Sequence, residues 1–441
     1  MLQTLKNAWV IKDIRRKILF TVLILVVFRI GSVLPVPFID TKSLLATFRP
    51  SDLAEAGNLT TGEKMFSYLS ILTGGSLEYG SIFALSVTPY INSSIIVQLL
   101  TVVFKRLQEW SKEGEEGQKK LAQLTRFATV VLALIQGTAS YIYLKNSGYL
   151  KISLFKPGQV WFAGFVIVLA FTAGSTLVMW LGERIDEKGV GNGISMILFA
   201  GILARGPQAF RALMYYWAQG SQATVIAIVI GFLVIVAFVV WMTHAERRIP
   251  IQYAKRVVGN KMYGGQNTHI PIKVNMSGVM PTIFASSILM LPTMVLSFMG
   301  VPRSGFSKLV YRFCNLFDVQ SAFYAIVYFL LIIGFAYFYS TIQFNPVEMA
   351  NNLRKNGGAI PGIRPGKPTT DYISKILSRI TLLGALFLSV VAILPIIVGN
   401  VGNINISIGG TSLLIMVGVA LDTVRSLESQ MMMRHYKGFL D

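Results

Sequence analysis

The stretch GGSLEYGSIFALSVTPYINSSIIVQLLTVVF, residues 74–104, decides the fold that this sequence predicts. It is long enough to cross a bilayer as a helix, but it carries Pro89 in mid-run together with polar side chains such as Asn92 and Gln98. Lipid offers these groups no hydrogen-bond partner, so they are tolerated only where they face protein or a cavity. We therefore expect this span to line a cavity within the membrane.

Part of this stretch recurs later in the chain. VTPYINSSII at residues 87–96 and VMPTIFASSI at residues 279–288 agree at five of ten positions. The recurrence predicts two copies of one structural element that face each other.

The composition is that of a membrane protein. The chain has 441 residues, 53% of them hydrophobic and 14% charged, with a mean hydropathy of +0.59. The single cysteine, Cys314, excludes an intrachain disulfide and a cysteine-based metal cluster. The three histidines lie outside the apolar segments, and no metalloprotease or serine-hydrolase motif is present. We therefore predict no metal, no cofactor and no catalytic residue.

Ten apolar segments are predicted to span the membrane, which puts both termini on one side. Segments on the side of the termini hold 28 Lys and Arg, against 11 on the other side, so we predict that both termini are cytoplasmic. The first apolar run has no small-residue cleavage site, and we expect it to be retained as a span. The ten segments are residues 18–34, 79–104, 126–144, 160–181, 193–205, 222–243, 277–298, 321–343, 380–398 and 411–424.

The ten spans divide into two halves of five, residues 1–207 and residues 208–441. Because five is odd, the second half has the opposite topology to the first, which makes an inverted repeat. The repeated element falls in the second span of each half. The predicted fold class is an all-α polytopic membrane protein with two inverted five-helix halves.

Residues 65–75, MFSYLSILTGG, are apolar but too short to cross a bilayer. They fit a re-entrant half-helix or an amphipathic helix on the outer surface, and the segment itself favours neither. On the cytoplasmic side, residues 105–126 are expected to form a solvated turn. Residues 247–273 show strand-like alternation around a turn and predict a protruding hairpin. Residues 345–379 form a second basic loop rich in Gly and Pro.

The span interiors hold almost no charge. Glu78 and Asp422 lie at span edges, and Arg29 is expected to snorkel to the outer interface. An ion-coupled transporter usually needs acidic groups at membrane depth, whereas hydroxyls, amides and branched apolar groups suit a chemically varied cargo such as polypeptide. The alternative is an inverted-repeat secondary transporter for a neutral solute.

Six motifs, in this order, are similar to the SecY family of channel-forming subunits of the bacterial Sec protein translocon. They are VFRIGS at 27–32, SIFALSVTPYINSSII at 81–96, GVGNGIS at 189–195, KVNMSGVMPTIFASSI at 273–288, PGIRPG at 361–366 and GGTSLLI at 409–415. The chain resembles this family from end to end.

The resemblance implies a central hourglass pore between the halves, a lateral gate between spans 2, 3, 7 and 8, and a plug helix at about residues 62–75. The resemblance therefore favours a re-entrant half-helix over a surface helix for residues 65–75. The pore ring implied is Val87, Ile91, Ile194, Leu198, Ile283 and Ile415. The plug residues implied are Met65, Phe66, Leu69, Ile71 and Leu72, and those of the lateral gate are Asn92, Gln98, Gln136, Ser286 and Ser287.

The resemblance also implies partners and a location. Family members work with the small membrane subunits SecE and SecG, with the SecA ATPase or a ribosome, and with signal peptides and nascent chains, in the bacterial cytoplasmic membrane. The cytosolic partners dock on loops that correspond to residues 244–275 and 344–379, to which Lys255, Arg256 and Arg364 belong. Basic loops also favour contact with anionic membrane lipid.

Overall fold

The structure is a computed structural model. It describes residues 6, 8–48, 70, 73–151, 160–220, 222–253, 256–258, 261–263, 267–276, 278–299, 311–314, 316–317, 321–402 and 410–437.

Long apolar sequences fold as helices here, since a helix satisfies its own backbone hydrogen bonds within the membrane. In chain order the helices are α1 (Lys12–Gly31), α2 (Thr41–Phe48), α3 (Thr88–Val103), α4 (Lys105–Lys112), α5 (Glu115–Asn146), α6 (Val160–Lys188), α7 (Gly193–Leu203), α8 (Gly206–Ala218), α9 (Gln222–His244), α10 (Met280–Met299), α11 (Ala322–Gln343), α12 (Pro346–Lys355), α13 (Lys367–Gly402) and α14 (Gly410–Lys437). The strands are β1 (Glu246–Tyr253), β2 (Arg256–Val258), β3 (Lys261–Tyr263), β4 (Asn267–Lys273) and β5 (Gly358–Ala359).

A helix occurs at each of the ten predicted spans: α1, α3, α5, α6, α7, α9, α10, α11, α13 and α14. Within the described residues, six stretches are long and apolar enough to cross a membrane by length and composition. They are α5, α6, α9, α13 and the stretches that contain α7 and α11. The prediction of an all-α polytopic membrane protein is confirmed.

The second span begins later than predicted. Helix α3 begins at Thr88 and not at residue 79, so Pro89 occupies its first turn rather than its middle. Proline lacks a backbone N–H and is tolerated in a first turn, where that donor would have no helical acceptor. Residues 73–87 instead form consecutive turns.

The second copy of the repeated element has the same local structure. Pro281 is the second residue of α10, as Pro89 is of α3. The N–H of Ile91 donates to the carbonyl of Val87 at 3.0 Å, and the N–H of Ile283 donates to that of Val279 at 3.2 Å. The repeat therefore encodes a helix start in both halves.

The prediction of a solvated turn over residues 105–126 is wrong for most of that range. Helices α4 and α5 fill it, and the chain reverses only at Glu113 and Gly114. Lys, Gln, Glu and Leu, which are frequent in this range, are good helix formers. Glu115 and Glu116 also lie in the first turn of α5, where acidic side chains interact favourably with the positive end of the helix dipole.

The hairpin predicted for residues 247–273 is confirmed. Strands β1 and β4 pair antiparallel, with Ile249 opposite Ile270, and β2 pairs with β3 between them. The short strand β5 adds to the other edge of β1, which the sequence did not predict. The two basic loops are therefore joined in one three-stranded sheet.

Candidate functional site

Four of the six predicted ring residues meet in one apolar cluster. Leu198 of α7 and Ile415 of α14 are buried in it, and the half-buried Ile91 of α3 and Ile283 of α10 pack against them. The first half of the chain supplies α3 and α7, and the second half supplies α10 and α14. The structure therefore joins side chains from both halves in one cluster.

The other two ring residues lie beside this cluster. Val87 is fully buried, and it packs with Ile194 in a second apolar cluster that also holds Phe28 and Val178. Ile91 belongs to both clusters and connects them. That the six residues act as one ring stays a prediction.

The predicted plug lies outside the described residues. The structure describes none of the five predicted plug residues, which are Met65, Phe66, Leu69, Ile71 and Leu72. The neighbouring Ser70 and Thr73 are described and buried. The plug assignment stays a prediction.

Arg29 does not simply snorkel as expected. Its Nη1 donates to the carbonyl of Gly74 at 3.3 Å and to Oγ of Ser32 at 3.5 Å. This side chain therefore ties the end of α1 to the turns that precede α3.

The predicted lateral-gate residues lie on helices that contact one another. Helix α10 packs against α3 and α5, and the ring of Phe284 in α10 meets Phe335 of α11 edge to face, with ring centroids 5.9 Å apart. Gln136 of α5 and Ser286 and Ser287 of α10 are buried. The spans that the resemblance assigns to the gate are therefore in contact.

Polar groups of the predicted gate differ in how they are satisfied. Oγ of Ser286 donates to the carbonyl of Ile283 at 2.9 Å. Oδ1 of Asn92 is buried, and no described residue donates a hydrogen bond to it. Gln98 is half-buried on the same helix. That Asn92 and Gln98 belong to the lateral gate stays a prediction.

The structure describes two of the three predicted docking residues, Arg256 and Arg364. Arg256 pairs with Tyr263 in the β2–β3 hairpin, and Lys255 is outside the described residues. Arg364 is exposed in the turns that follow β5, where its carbonyl accepts a hydrogen bond from Oγ1 of Thr369 at 2.9 Å. Because β5 pairs with β1, the two predicted docking loops form a single surface.

The glycine-punctuated stretch between α6 and α7 is a tight helical connection. Asp186 Oδ1 accepts from the N–H of Gly193 at 2.7 Å, and the side chain of Asn192 caps α7 by accepting from the N–H of Ser195 at 3.0 Å. A Cβ at Gly193 would lie 2.0 Å from the carbonyl oxygen of Gly182. These contacts fix α7, and with it Leu198, against α6.

Sequence comparison gives full-length relatives. The SecY family profile matches residues 81–424. A Streptomyces galbus protein described as protein translocase subunit SecY is 43% identical over 453 residues, which cover 100% of both chains. A Mycobacterium bovis protein with the same description is 44% identical over 440 residues, which cover 97% of each chain.

Solved structures share the fold. One described as the structure of a protein conducting channel has a TM-score of 0.63 and 18% identity, over 94% of this chain and 92% of that chain. Sec61 in the canine ribosome-channel complex from the endoplasmic reticulum has a TM-score of 0.60 and 17% identity, over 94% and 92% of the two chains. At identities this low, the similarity shows a shared fold and nothing more.

Proposed function

This chain belongs to the SecY family, and on that premise we propose that it is a protein-conducting channel. It passes unfolded secretory polypeptides across the bacterial cytoplasmic membrane and releases transmembrane segments sideways into lipid. The observation that carries this proposal is the apolar cluster of Ile91, Leu198, Ile283 and Ile415, because two helices of each half supply it. Family membership does not favour the alternative of a solute transporter.

The cluster suits the resting and the working state of such a channel. Branched apolar side chains that close on one another leave no polar wall for water, so ions are excluded when no polypeptide is present. The same side chains make no directional bonds, so they can separate around a passing chain of any sequence. Val87 and Ile194, packed behind Ile91, complete the proposed ring.

The seam between α10 and the pair α3 and α5 is the proposed lateral gate. A hydrophobic segment in the pore can leave through it into lipid once these helices separate. Asn92, Gln98, Gln136, Ser286 and Ser287 give the seam a polar side, and because lipid offers these groups no hydrogen-bond partner they favour a closed seam at rest. We assign residues 62–75, including Met65 and Leu69, to a plug on the outer side.

Partners supply the energy and the substrate. No nucleotide-binding motif is present in the sequence, so a SecA-type ATPase or a translating ribosome drives the movement. The surface formed by β1, β4, β5 and the turn that holds Arg364 is the proposed docking site, and we assign Lys255 and Arg256 to the same role. Sec61, which shares this fold, occurs in a ribosome-channel complex. SecE and SecG are the proposed small membrane partners, and both termini are cytoplasmic.

Crosslinking to a stalled secretory chain tests the proposal. A photoreactive residue at Ile91 should form an adduct with a polypeptide arrested in transit. Two positions on predicted spans outside the apolar cluster serve as controls. They are Ile332, which is buried in α11, and Leu233, which is exposed on α9. Adducts at Ile332 and Leu233 that equal those at Ile91, or no adduct at Ile91, would contradict the proposed path.

A further inference from the structure

A buried ion pair lies on the far face of the molecule, at the ends of the spans remote from the β sheet. The guanidinium of Arg205, which follows α7, contacts the carboxylate of Glu78, and their side chains are only 12% and 1% exposed. Oγ of Ser70 donates to the same carboxylate at 2.7 Å. We call Ser70, Glu78 and Arg205 the clamp.

A second set of contacts holds the same turns independently of the clamp. The backbone of Gly74 packs directly on that of Gly201 in α7, because a Cβ at Gly74 would lie 2.5 Å from Gly201 Cα. Gly74 also has φ +69°, a conformation that other residues rarely adopt. The Arg29 guanidinium donates to the Gly74 carbonyl at 3.3 Å. Residues 73–78 are thus fixed to α1 and α7 at two points.

The turns between the clamp and α3 are held by hydrogen bonds within the turns and to neighbouring parts of the chain. The N–H of Ser81 donates to the carbonyl of Ser76 at 3.1 Å, and the N–H of Ile82 donates to that of Leu34 at 3.0 Å. Ser86 has φ 49°, and its carbonyl accepts a hydrogen bond from Ser175 at 3.2 Å. A segment held at these points has little freedom to deform, so a displacement at Glu78 should reach Val87, the residue before α3.

We propose that Glu78 and Arg205 are positioning residues of the resting channel. They fix the beginning of α3 against the end of α7, so that Val87 and Ile91 meet Leu198 across the constriction. The inference deepens the proposed function and rests on it, because the constriction is the part of the channel that the clamp aligns. It assigns the alignment to a charge pair on the far face, away from the apolar side chains themselves.

A charge pair suits this task because each buried charge is unfavourable without the other. Any displacement that separates the carboxylate from the guanidinium loses an attraction that water and salt screen little in a buried site, so the pair resists small shifts. Removing one partner should therefore disturb the alignment more than exchanging the two charges does. This difference separates a positioning role from one of simple packing.

The test is resting ion flux through vesicles that contain the purified channel complex. Glu78→Gln and Arg205→Gln should each raise the flux several-fold, and Glu78→Asp should raise it less. The exchange Glu78→Arg with Arg205→Glu should bring the flux back toward that of the parent. Glu183→Gln is the matched control, because Glu183 pairs with Arg126 at 2.8 Å on the sheet side of the molecule. It should leave resting flux unchanged.

Each outcome decides the proposal. Parental flux from folded Glu78→Gln and Arg205→Gln would overturn it, as would flux that rises equally in Glu183→Gln. If both single variants fail to fold, Ser70→Ala decides, since it removes one hydrogen bond to Glu78 and no charge: a smaller rise supports the clamp and no rise overturns it. The parent channel in the same vesicles should also translocate a secretory polypeptide. If it does not, the proposed function fails, whatever the ion flux of the clamp variants shows.

Discussion

Ile91 and Ile283 hold equivalent places in two copies of one helix start, and both pack in the same apolar cluster. Each donates its N–H to a valine four residues earlier, Val87 in one copy and Val279 in the other. The two predicted halves thus contribute equivalent side chains to one apolar cluster, as expected for an inverted repeat.

Replacing either isoleucine by asparagine should let water enter the constriction. We expect Ile91→Asn and Ile283→Asn each to raise resting ion conductance several-fold, and the double variant to leak more than either, because a gate that works by dewetting needs an apolar wall. Both should also lower the hydrophobicity that a signal peptide needs, since opening breaks fewer apolar contacts. Planar-bilayer recordings and a secretion assay with graded signal peptides measure these effects.

Ile332→Asn is the control for that prediction. Ile332 is fully buried in α11 within the core of the second half. Its replacement should cost about 1–3 kcal/mol of stability through an unsatisfied buried amide, without raising conductance in molecules that remain folded. Equal leakage from Ile332→Asn would mean general damage and would remove the case for a ring.

Arg364→Glu should impair motor-driven translocation while the subunit folds and inserts normally. The side chain is exposed in a turn that β5 connects to the sheet, so reversing its charge changes docking and not a core. ATP-dependent translocation in reconstituted vesicles measures the effect. Lys119→Glu, exposed in the first turns of α5 and outside both predicted docking loops, is the matched control. Parental activity of Arg364→Glu would refute the docking assignment.

Deleting residues 65–69 should leave the channel folded but let it open briefly to ions at rest. The deletion leaves all three clamp residues in place, so the alignment of α3 should be kept while the proposed plug is shortened. Single-channel recordings compare the deletion with the parent. Recordings as silent as those of the parent would place this segment on the surface.

Gly193→Ala should destabilise the first half of the protein. The new methyl group would lie 2.0 Å from the carbonyl oxygen of Gly182, which forces α6 and α7 apart at a cost of about 1–3 kcal/mol. Gly206→Ala is the control, since a Cβ there meets nothing within 4 Å. Thermal unfolding in detergent compares the two. A midpoint for Gly193→Ala as high as that for Gly206→Ala would contradict the packing.

Several features of the protein follow from sequence alone. Apolar segments of membrane-spanning length identify the helices, and strict alternation with a turn identifies the β1–β4 hairpin, because both patterns report local backbone geometry. The family resemblance drawn from six motifs is confirmed by relatives that match the whole chain. The repeated V-x-P-x-I element also correctly indicated two equivalent elements of structure.

Other features depend on contacts between residues far apart in the chain. The sequence predicted that Glu78 lies at a span edge and that Arg29 snorkels to the outer interface. The sequence around a charged residue at a span end is the same whether its side chain contacts water or a protein partner. Only the fold brings Glu78 to Arg205, 127 positions away, and Arg29 to Gly74. Likewise β5 is too short to show a strand pattern, and only its pairing with β1 joins the two basic loops. The length of the apolar segments determined where the helices lie. Ion pairing of buried charges and long-range backbone pairing decided how the ends of the helices are held.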